Sequence, residues 1–431
     1  VVALVVTPPL PATPICWKPV SSPAPPQTAL ITVAEARDLV LEAVHPLPSA
    51  EVELGEALGR VLAAEIRATA DVPPFPSSAM DGYAVIAGEA GRTLTVTGES
   101  RAGAPAASSI ELGASEAIRI STGAAIPPGA TAVIPQELVS APSTGAPIRT
   151  EAAVRPGENI RQAGEDIRAH TTVLTAGTRL GAAELGAAAA AGAGSLLVTR
   201  RPRVAVLCTG DELRSPGEPL GPGEIHNSNA PMLTALATRA GALAAPAERL
   251  PDDRAATETG IATALAHSDV VVISGGVSVG PHDHVKPALA ALGVCEIFWS
   301  VALQPGKPTW FGAPSGLTPL VFGLPGNPVS AVVTFSLFVA PALAALQGAE
   351  PPRPPCDQAV LAEAVPRNPR RLRAVSVSLT HGPHGTIAHS TGPQESHILT
   401  SLIGADALAM IPQGDGRLDA GTTVTLQALC D

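Results

Sequence analysis

The sequence predicts a multidomain protein of α/β and β class, built round a three-layer α/β domain with a parallel-type sheet. Three observations carry this. Residues 203 to about 349 hold continuous apolar runs, "RVAVLC", "DVVVIS" and "PLVFGL", separated by the helical patterns "NAPMLTALATRAGAL", "RAATETGIATALAHS" and "NPVSAVVTFSLFVAPALAAL". Unbroken apolar runs suit strands buried on both faces, and strand–helix alternation suits a parallel sheet covered on both sides. The flanking regions change to short β segments punctuated by Gly and Pro, and 431 residues exceed one domain in any case.

Taken in order, residues 1–28 are Pro-rich, with no basic start and no uninterrupted apolar core. They are expected to be a disordered or misannotated leader, neither signal peptide nor membrane span. Residues 29–68 and 170–200 form a helical/β linking domain. "TVAEARDLVLEAV" starts with a capping box, Thr32 with Glu35, and "GAAELGAAAAAGAG" is an Ala-rich helix. Between them, 69–169 carries "TLTVTGES", "EAIRIST" and "TAVIPQELV", the pattern of an inserted β-rich domain. The α/β domain occupies 201–349. After the linker "EPPRPPC", residues 350–431 return to strand-and-turn patterning, a small β-barrel or sandwich.

Composition excludes some functions. The 38 acidic residues against 27 basic ones give a net charge of −11, which argues against nucleic acid as a partner. An anionic ligand must therefore be held by local devices. The five scattered cysteines, without a C-x-x-C pair, suggest reduced thiols in a cytoplasmic protein.

Ligands of an open α/β sheet sit beyond the carboxyl ends of its strands, so the residues following each apolar run matter most. The first run meets "TGDEL", with Thr209, Asp211 and Glu212. The second meets "GGVSVGPHDH", with Gly275, Gly276, Ser278 and Asp283. The third meets "LPGNPVSA", where Asn327 is a good helix cap, Pro328 suits the first helical position and Ser330 follows. Gly-rich backbone lets N–H groups converge on phosphate, and carboxylates beside it imply a cation such as Mg²⁺ between them. Each stretch alone is equally an ordinary turn; three at the ends of three parallel strands describe a site. "PPFPSSAMDGYAV", holding Asp81, and "GENIRQAGEDI", holding Arg161, Glu165 and Asp166, are polar beyond their surroundings, although a β-turn and a solvated ion pair explain them as well. His226, His282 and His284 lack metal spacing and are expected to be ordinary polar residues.

In order along about residues 29 to 431, "SAMDGYAV", "RISTGAAIPPGATAVIPQE", "ENIRQAGEDI", "RPRVAVLCTGDEL", "SGGVSVGPHDH", "PGKPTWFG", "GLPGNPVSA" and "ESHILTSL" resemble the molybdopterin molybdenumtransferase family, related to the E domain of gephyrin. The resemblance implies an elongated four-domain homodimer with a molybdopterin-binding α/β domain and a C-terminal β-barrel domain. It implies an enzyme that takes adenylylated molybdopterin and molybdate, hydrolyses the adenylyl linkage with Mg²⁺, releases AMP and inserts molybdenum. Transient contact with the preceding adenylyltransferase is implied as well. By motif, Asp211, Glu212, Asp252 and Asp283 become the acids of the pterin and metal site. Thr209, Gly275, Gly276, Ser278, Lys307, Pro325, Asn327, Pro328, Ser330 and Ser396 line the cleft. Asp81, Thr122, Arg161 and Asp166 belong to the inserted domain, which in this family completes the partner's site. Arg161 is given a positioning role and Asp81 an orienting role towards water.

The chain departs from the family at Pro76 and Ser77, where Asp-Asn is usual, and at Ser300 and Gln304, where many members carry lysines. Fewer positive charges should weaken attraction for molybdate. Two other readings compete: a nucleotide pyrophosphatase of the competence-damage type, which would lack the "MDGYA" and "GEDI" stretches, and a non-catalytic scaffold, which would need an exposed apolar groove.

Overall fold

The computed structural model describes residues 30–104, 111–140, 146–277, 283–315, 318–351, 353–383 and 385–429. The expected leader and Ser278 lie outside these. Two compact units emerge. One gathers the residues up to Ala50, Gly59–Val61 and everything from Thr199 onward; the other holds Glu51–Leu58 and Leu62–Val198.

In the first unit the α/β domain runs β1 (Arg203–Thr209), α1 (Asn229–Arg239), β2 (Leu243–Ala244), β3 (Glu248–Leu250), α2 (Arg254–His267), β4 (Val270–Ser274), α3 (Val285–Ala291), β5 (Val294–Trp299), β6 (Trp310–Pro314), β7 (Leu320–Leu324) and α4 (Pro328–Thr334). The sheet order is β2-β1-β4-β7-β6-β5, with β3 also on β1. The three apolar runs are its parallel centre, with Val204 opposite Val270 and Val270 opposite Leu320. Only β6 runs against the rest.

Why these runs are apolar throughout is visible in β4, where Val270, Val271, Val272 and Ile273 are all 0% exposed. Alternate side chains enter different cores. Val270 and Val272 pack with helix Val33–Glu42, α1 and the long helix that starts at α4, while Val271 and Ile273 pack with α2 and α3. The expected three layers are present, and each such side chain contributes about 1.5–3 kcal/mol of burial. The Thr32–Glu35 capping box is formed as predicted. The helical run Pro328–Leu346 is apolar and long enough to cross a membrane, but 94% of it is buried as the core of this unit. Its π-helical turn, Phe335–Val339, leads to Pro341, whose missing N–H and bulky ring a wider turn accommodates.

The C-terminal domain is a closed five-stranded barrel: Leu372–Gly382, Gly385–Ser390, Gln358–Leu361, Thr423–Ala428 and Ala407–Ile411, which returns to the first strand. Leu303–Gln304 adds to its edge in parallel with Leu372–Arg373. The sequence left barrel and sandwich open; closure settles it.

The second unit contains the inserted β-rich domain, a six-stranded sheet ordered Ala132–Pro135, Gly82–Val85, Glu116–Ile120, Thr93–Ser100, Ile148–Thr150 and Val139–Ser140. Val85, Ala117 and Ile134 fill one face, and Ala84, Ile118 and Val133 the other. Gly82 of the "MDGYA" stretch is obligatory, because a Cβ there would stand 2.1 Å from the carbonyl oxygen of Ile134. The Ala-rich helix forms over Ala182–Ala190.

The expectation of reduced thiols holds for Cys208 and Cys356, which are free. It is corrected at Cys295, which is disulfide-bonded.

Candidate active site

A cavity of about 580 Å³ opens at the carboxyl ends of β1, β4 and β7. It brings together seven of the residues singled out from sequence: Thr209, Glu212, Gly275, Gly276, Pro325, Asn327 and Pro328. They arrive by three different strands, which is why no local window of sequence shows the site. Gly275 and Gly276 have φ of +89° and +67°, so the chain turns sharply out of β4 in a conformation that L side chains resist. A Cβ on Gly276 would also lie 2.5 Å from Val285 Cγ2.

Of the four acids expected at the site, Glu212 lines the cavity, and Asp211, Asp252 and Asp283 lie outside its lining. Asp211 and Asp252 are exposed and exchange backbone contacts: the Asp252 N–H donates to Asp211 Oδ1 at 3.1 Å, and the Asp211 N–H to Asp252 Oδ2 at 3.4 Å. The Glu212 carboxylate folds back over Gly210, where a Cβ would meet its Oε2 at 2.5 Å. Among the described residues no three His, Cys, Asp or Glu side chains are grouped as metal ligands. Mg²⁺ does not require such a cage, since it is commonly held by one or two carboxylates plus substrate phosphates. The pair Asp211 and Asp252 fits that requirement. Asp283 is half-buried at the start of α3 and acts electrostatically on Lys286. Burial holds the Lys286 amine below its usual value, with Glu296 and Asp283 opposing, and its Nζ lies 3.5 Å from the centre of the Trp299 ring.

The third device differs from its prediction in one respect. Asn327 occupies the helix-cap position, and Pro328 opens the helix as expected. Yet the Asn327 side chain caps nothing within the helix; its Nδ2 donates to Ser396 Oγ at 2.8 Å. The Ser396 carbonyl in turn accepts the Val329 N–H at 3.1 Å. The segment preceding the last barrel strands thus supplies the cap, which explains why "ESHI" accompanies "GNPVSA". Ser330 is only 3% exposed and does not line the cavity. Lys307 is exposed and lies outside the lining, although its neighbour Pro308 is part of it.

Sequence reading missed several cavity residues. His226, taken as an ordinary polar residue, lines it, with Nε2 at 2.9 Å from the Glu218 carbonyl oxygen. His397, Asn227 and Asn229 line it too. Cys208 is at its floor, where burial pushes the thiol up to about 11 and keeps it protonated.

The departures at Ser300 and Gln304 have structural occupants. Ser300 is 8% exposed with φ of 70°, and Gln304 Oε1 accepts from Asn368 Nδ2 of the barrel domain at 2.6 Å. The charge that lysines would bring is replaced by a neutral tie.

In the second unit, a cavity of about 750 Å³ brings Arg161 and Asp166 together with Glu165, Phe75 and Ser77. Beside it, Asp81 Oδ1 accepts the Thr122 N–H at 2.8 Å, and Gly123 joins the lining.

An α/β sheet with glycine turns at its carboxyl edge, in a chain that also carries a β-rich insertion and a closed barrel, is the build of a multidomain protein that binds a small molecule beyond the ends of its parallel strands. Residues 205–345 match the family model described as a probable molybdopterin binding domain, 31–192 the MoeA N-terminal region (domain I and II), and 358–429 the MoeA C-terminal region (domain IV). Molybdopterin molybdenumtransferase 2 of Mycobacterium tuberculosis is 38% identical over 91% of this chain and 98% of that protein. Molybdopterin molybdenumtransferase of Haemophilus influenzae is 36% identical over 92% and 98%. A crystal structure of a molybdopterin biosynthesis MoeA protein from Pyrococcus horikoshii superposes with a TM-score of 0.74 at 32% identity, covering 93% of this chain and 99% of that one. This chain belongs to the molybdopterin molybdenumtransferase family.

Proposed function

We propose that this protein inserts molybdenum into adenylylated molybdopterin, using molybdate and releasing AMP. One observation carries the proposal: Thr209 with Glu212, the Gly275–Gly276 turn and the Pro325–Pro328 turn converge on a single cavity. Backbone N–H groups of the glycine turn and of the capped helix start would hold the phosphates. Asp211 and Asp252, with Glu212 and Asp283 nearby, would hold Mg²⁺, which supplies electrostatic stabilisation of charge at the phosphoanhydride. Water attacks the adenylyl phosphorus, the bond to the pterin phosphate breaks, and AMP leaves. Molybdate then exchanges one oxide for the two dithiolene sulfurs: two Mo–S bonds form, one Mo–O bond breaks, the two thiol protons leave with that oxide as water, and molybdenum keeps its oxidation state.

The reading carries with it a cytoplasmic homodimer that handles small molecules, without nucleic acid or membrane. In it the β-rich unit of one subunit, with Asp81, Thr122, Arg161 and Asp166, serves the partner's cavity. Lys307 and Ser396 border the cleft, and contact with the preceding adenylyltransferase is transient. Mixing Asp166→Ala with Asp252→Ala protein should then restore part of the activity that each lacks alone. No restoration would remove the shared site.

The deciding experiment is AMP release from adenylylated molybdopterin with Mg²⁺, with and without molybdate. Release that depends on molybdate, and a product that activates an apo-molybdoenzyme, is the expected result. AMP release without molybdate and without active cofactor would favour a pyrophosphatase instead.

A further inference from the structure

The side chain of Asn229 stands where the devices at the strand ends meet. It opens α1, is 8% exposed and lines the cavity. Its Nδ2 donates to Ser274 Oγ at 2.8 Å and to the Gly326 carbonyl at 2.7 Å. A carbonyl can only accept, so the nitrogen must face Gly326 and the orientation of the amide is fixed. Ser274 ends β4 immediately before Gly275, and Gly326 immediately precedes Asn327. One side chain therefore ties two turns that already approach closely: a Cβ on Gly326 would lie 3.8 Å from Gly275 Cα.

With both amide hydrogens used, one polar atom remains. Asn229 Oδ1 is buried and accepts from no group among the described residues. Buried acceptors are nearly always matched, so an unmatched one in the wall of a ligand cavity points to a donor brought by the ligand. An ionised phosphate cannot be that donor, since its oxygens only accept. The N–H groups of an aminated heterocycle can.

We propose that Asn229 is a positioning and selectivity residue of this cavity. Its Nδ2 fixes the spacing of the two turns, and its Oδ1 takes a hydrogen bond from an N–H of the bound ring. The proposal rests on the reading of the cavity as a pterin-nucleotide site. Pterin and adenine both carry such N–H groups, and the experiment separates them.

Binding of adenylylated molybdopterin, molybdopterin, AMP and inorganic pyrophosphate is measured for wild type, Asn229→Ala, Ser274→Ala and the double variant, alongside melting temperatures. Asn229→Ala should bind adenylylated molybdopterin about 10–100-fold more weakly while still melting well above the assay temperature. Ser274→Ala should lose about 2–5-fold, and the double variant should be no worse than Asn229→Ala, because both act through one contact. Whichever of molybdopterin and AMP carries the loss identifies the ring that Oδ1 reads. Wild-type affinity in Asn229→Ala overturns the proposal, as do fully multiplying losses in the double variant. A loss as large for pyrophosphate as for the heterocycles overturns the role of Oδ1. If Asn229→Ala does not fold, Ser274→Ala keeps the clamp testable, and wild-type affinity there overturns it. Wild-type protein that binds none of the four ligands overturns the pterin-nucleotide reading itself.

Discussion

At the amino end of the central sheet, Asp269 enters β4 with its carboxylate fully committed. Arg200 grips it from both sides, Nη1 to Oδ2 at 2.6 Å and Nη2 to Oδ1 at 2.7 Å, and the Arg203 N–H donates to Oδ2 at 2.7 Å. At the carboxyl end, Asp211 and Asp252 reach only each other's backbone N–H groups, and neither pairs with a Lys or Arg side chain among the described residues. The two ends use the same residue type beside the same strands. The difference lies in who supplies the counter-charge. At the amino end the protein does, so the acid is structural. At the carboxyl end water solvates the charge instead, so both carboxylates stay available to a cation or ligand, which is what the proposed site requires.

That contrast breaks most visibly under substitution at the carboxyl end. Asp252→Ala should lower the rate of molybdate-dependent AMP release by about 100-fold or more, a loss of about 3 kcal/mol of transition-state stabilisation. Because Asp252 is exposed and makes only one long hydrogen bond through its side chain, its melting temperature should stay within a few degrees of wild type. A variant that keeps the wild-type rate would reduce the open acids to surface charge. Asp283→Ala should behave alike in rate.

The opposite signature belongs to the amino end. Asp269→Asn removes a bidentate, largely buried ion pair and leaves Arg200 without its partner, which should cost about 2–3 kcal/mol in denaturant unfolding. KM and kcat should not move at temperatures where the variant is folded. A change in KM with no change in stability would erase the distinction between the ends.

Acid sharpens the same comparison. Burial works to raise the Asp269 carboxyl, but the Arg200 hydrogen bonds, the Arg203 N–H and both guanidinium charges outweigh it and hold the group below its ordinary value. Its stabilisation is therefore complete above the unfolded value of about 3.9 and is lost as pH falls through the lower folded value. The stability gap between wild type and Asp269→Asn should be constant from neutral pH to about 5 and close below about 4. A gap that does not begin to narrow as pH falls below about 4 would mean that shape, not charge, holds this end.

How much of this was legible in the sequence follows from the range of each interaction. The runs at β1, β4 and β7 announced themselves, because burial on both faces leaves no polar position in the pattern. The glycine turn was legible because positive φ selects Gly locally. β5 and β6 were not, since the reversed strand lies inside a motif that reads only as "PGKPTWFG". Asn327 was read as a cap from its neighbours, and a residue 69 positions away claimed its side chain. Asn229 is only the first residue of the helical pattern "NAPMLTALATRAGAL"; its partners lie 45 and 97 positions further on. Contacts of that range leave no local signal in a single sequence.

The smallest expected effect concerns the departures from the family, which lie at the same carboxyl end. β5 runs in the same direction as β7, so Ser300, directly after it, and Gln304 stand on that edge of the sheet. Restoring a lysine at 300 would force a long side chain from a buried position with φ of 70°, so folding cost would obscure any gain. Gln304 is the better test. Its backbone is already paired with the barrel, and Gln304→Lys gives up only the hydrogen bond with Asn368, worth about 1 kcal/mol. A lysine there adds attraction for an oxyanion of about 1 kcal/mol at moderate distance in a wet cleft, so the KM for molybdate should fall about 3–5-fold. The gain should shrink as ionic strength rises, because an exposed charge is screened. AMP release at saturating molybdate should be unchanged. A KM that does not respond would place molybdate away from this edge. The neutral tie to the barrel would then have removed nothing that the reaction uses.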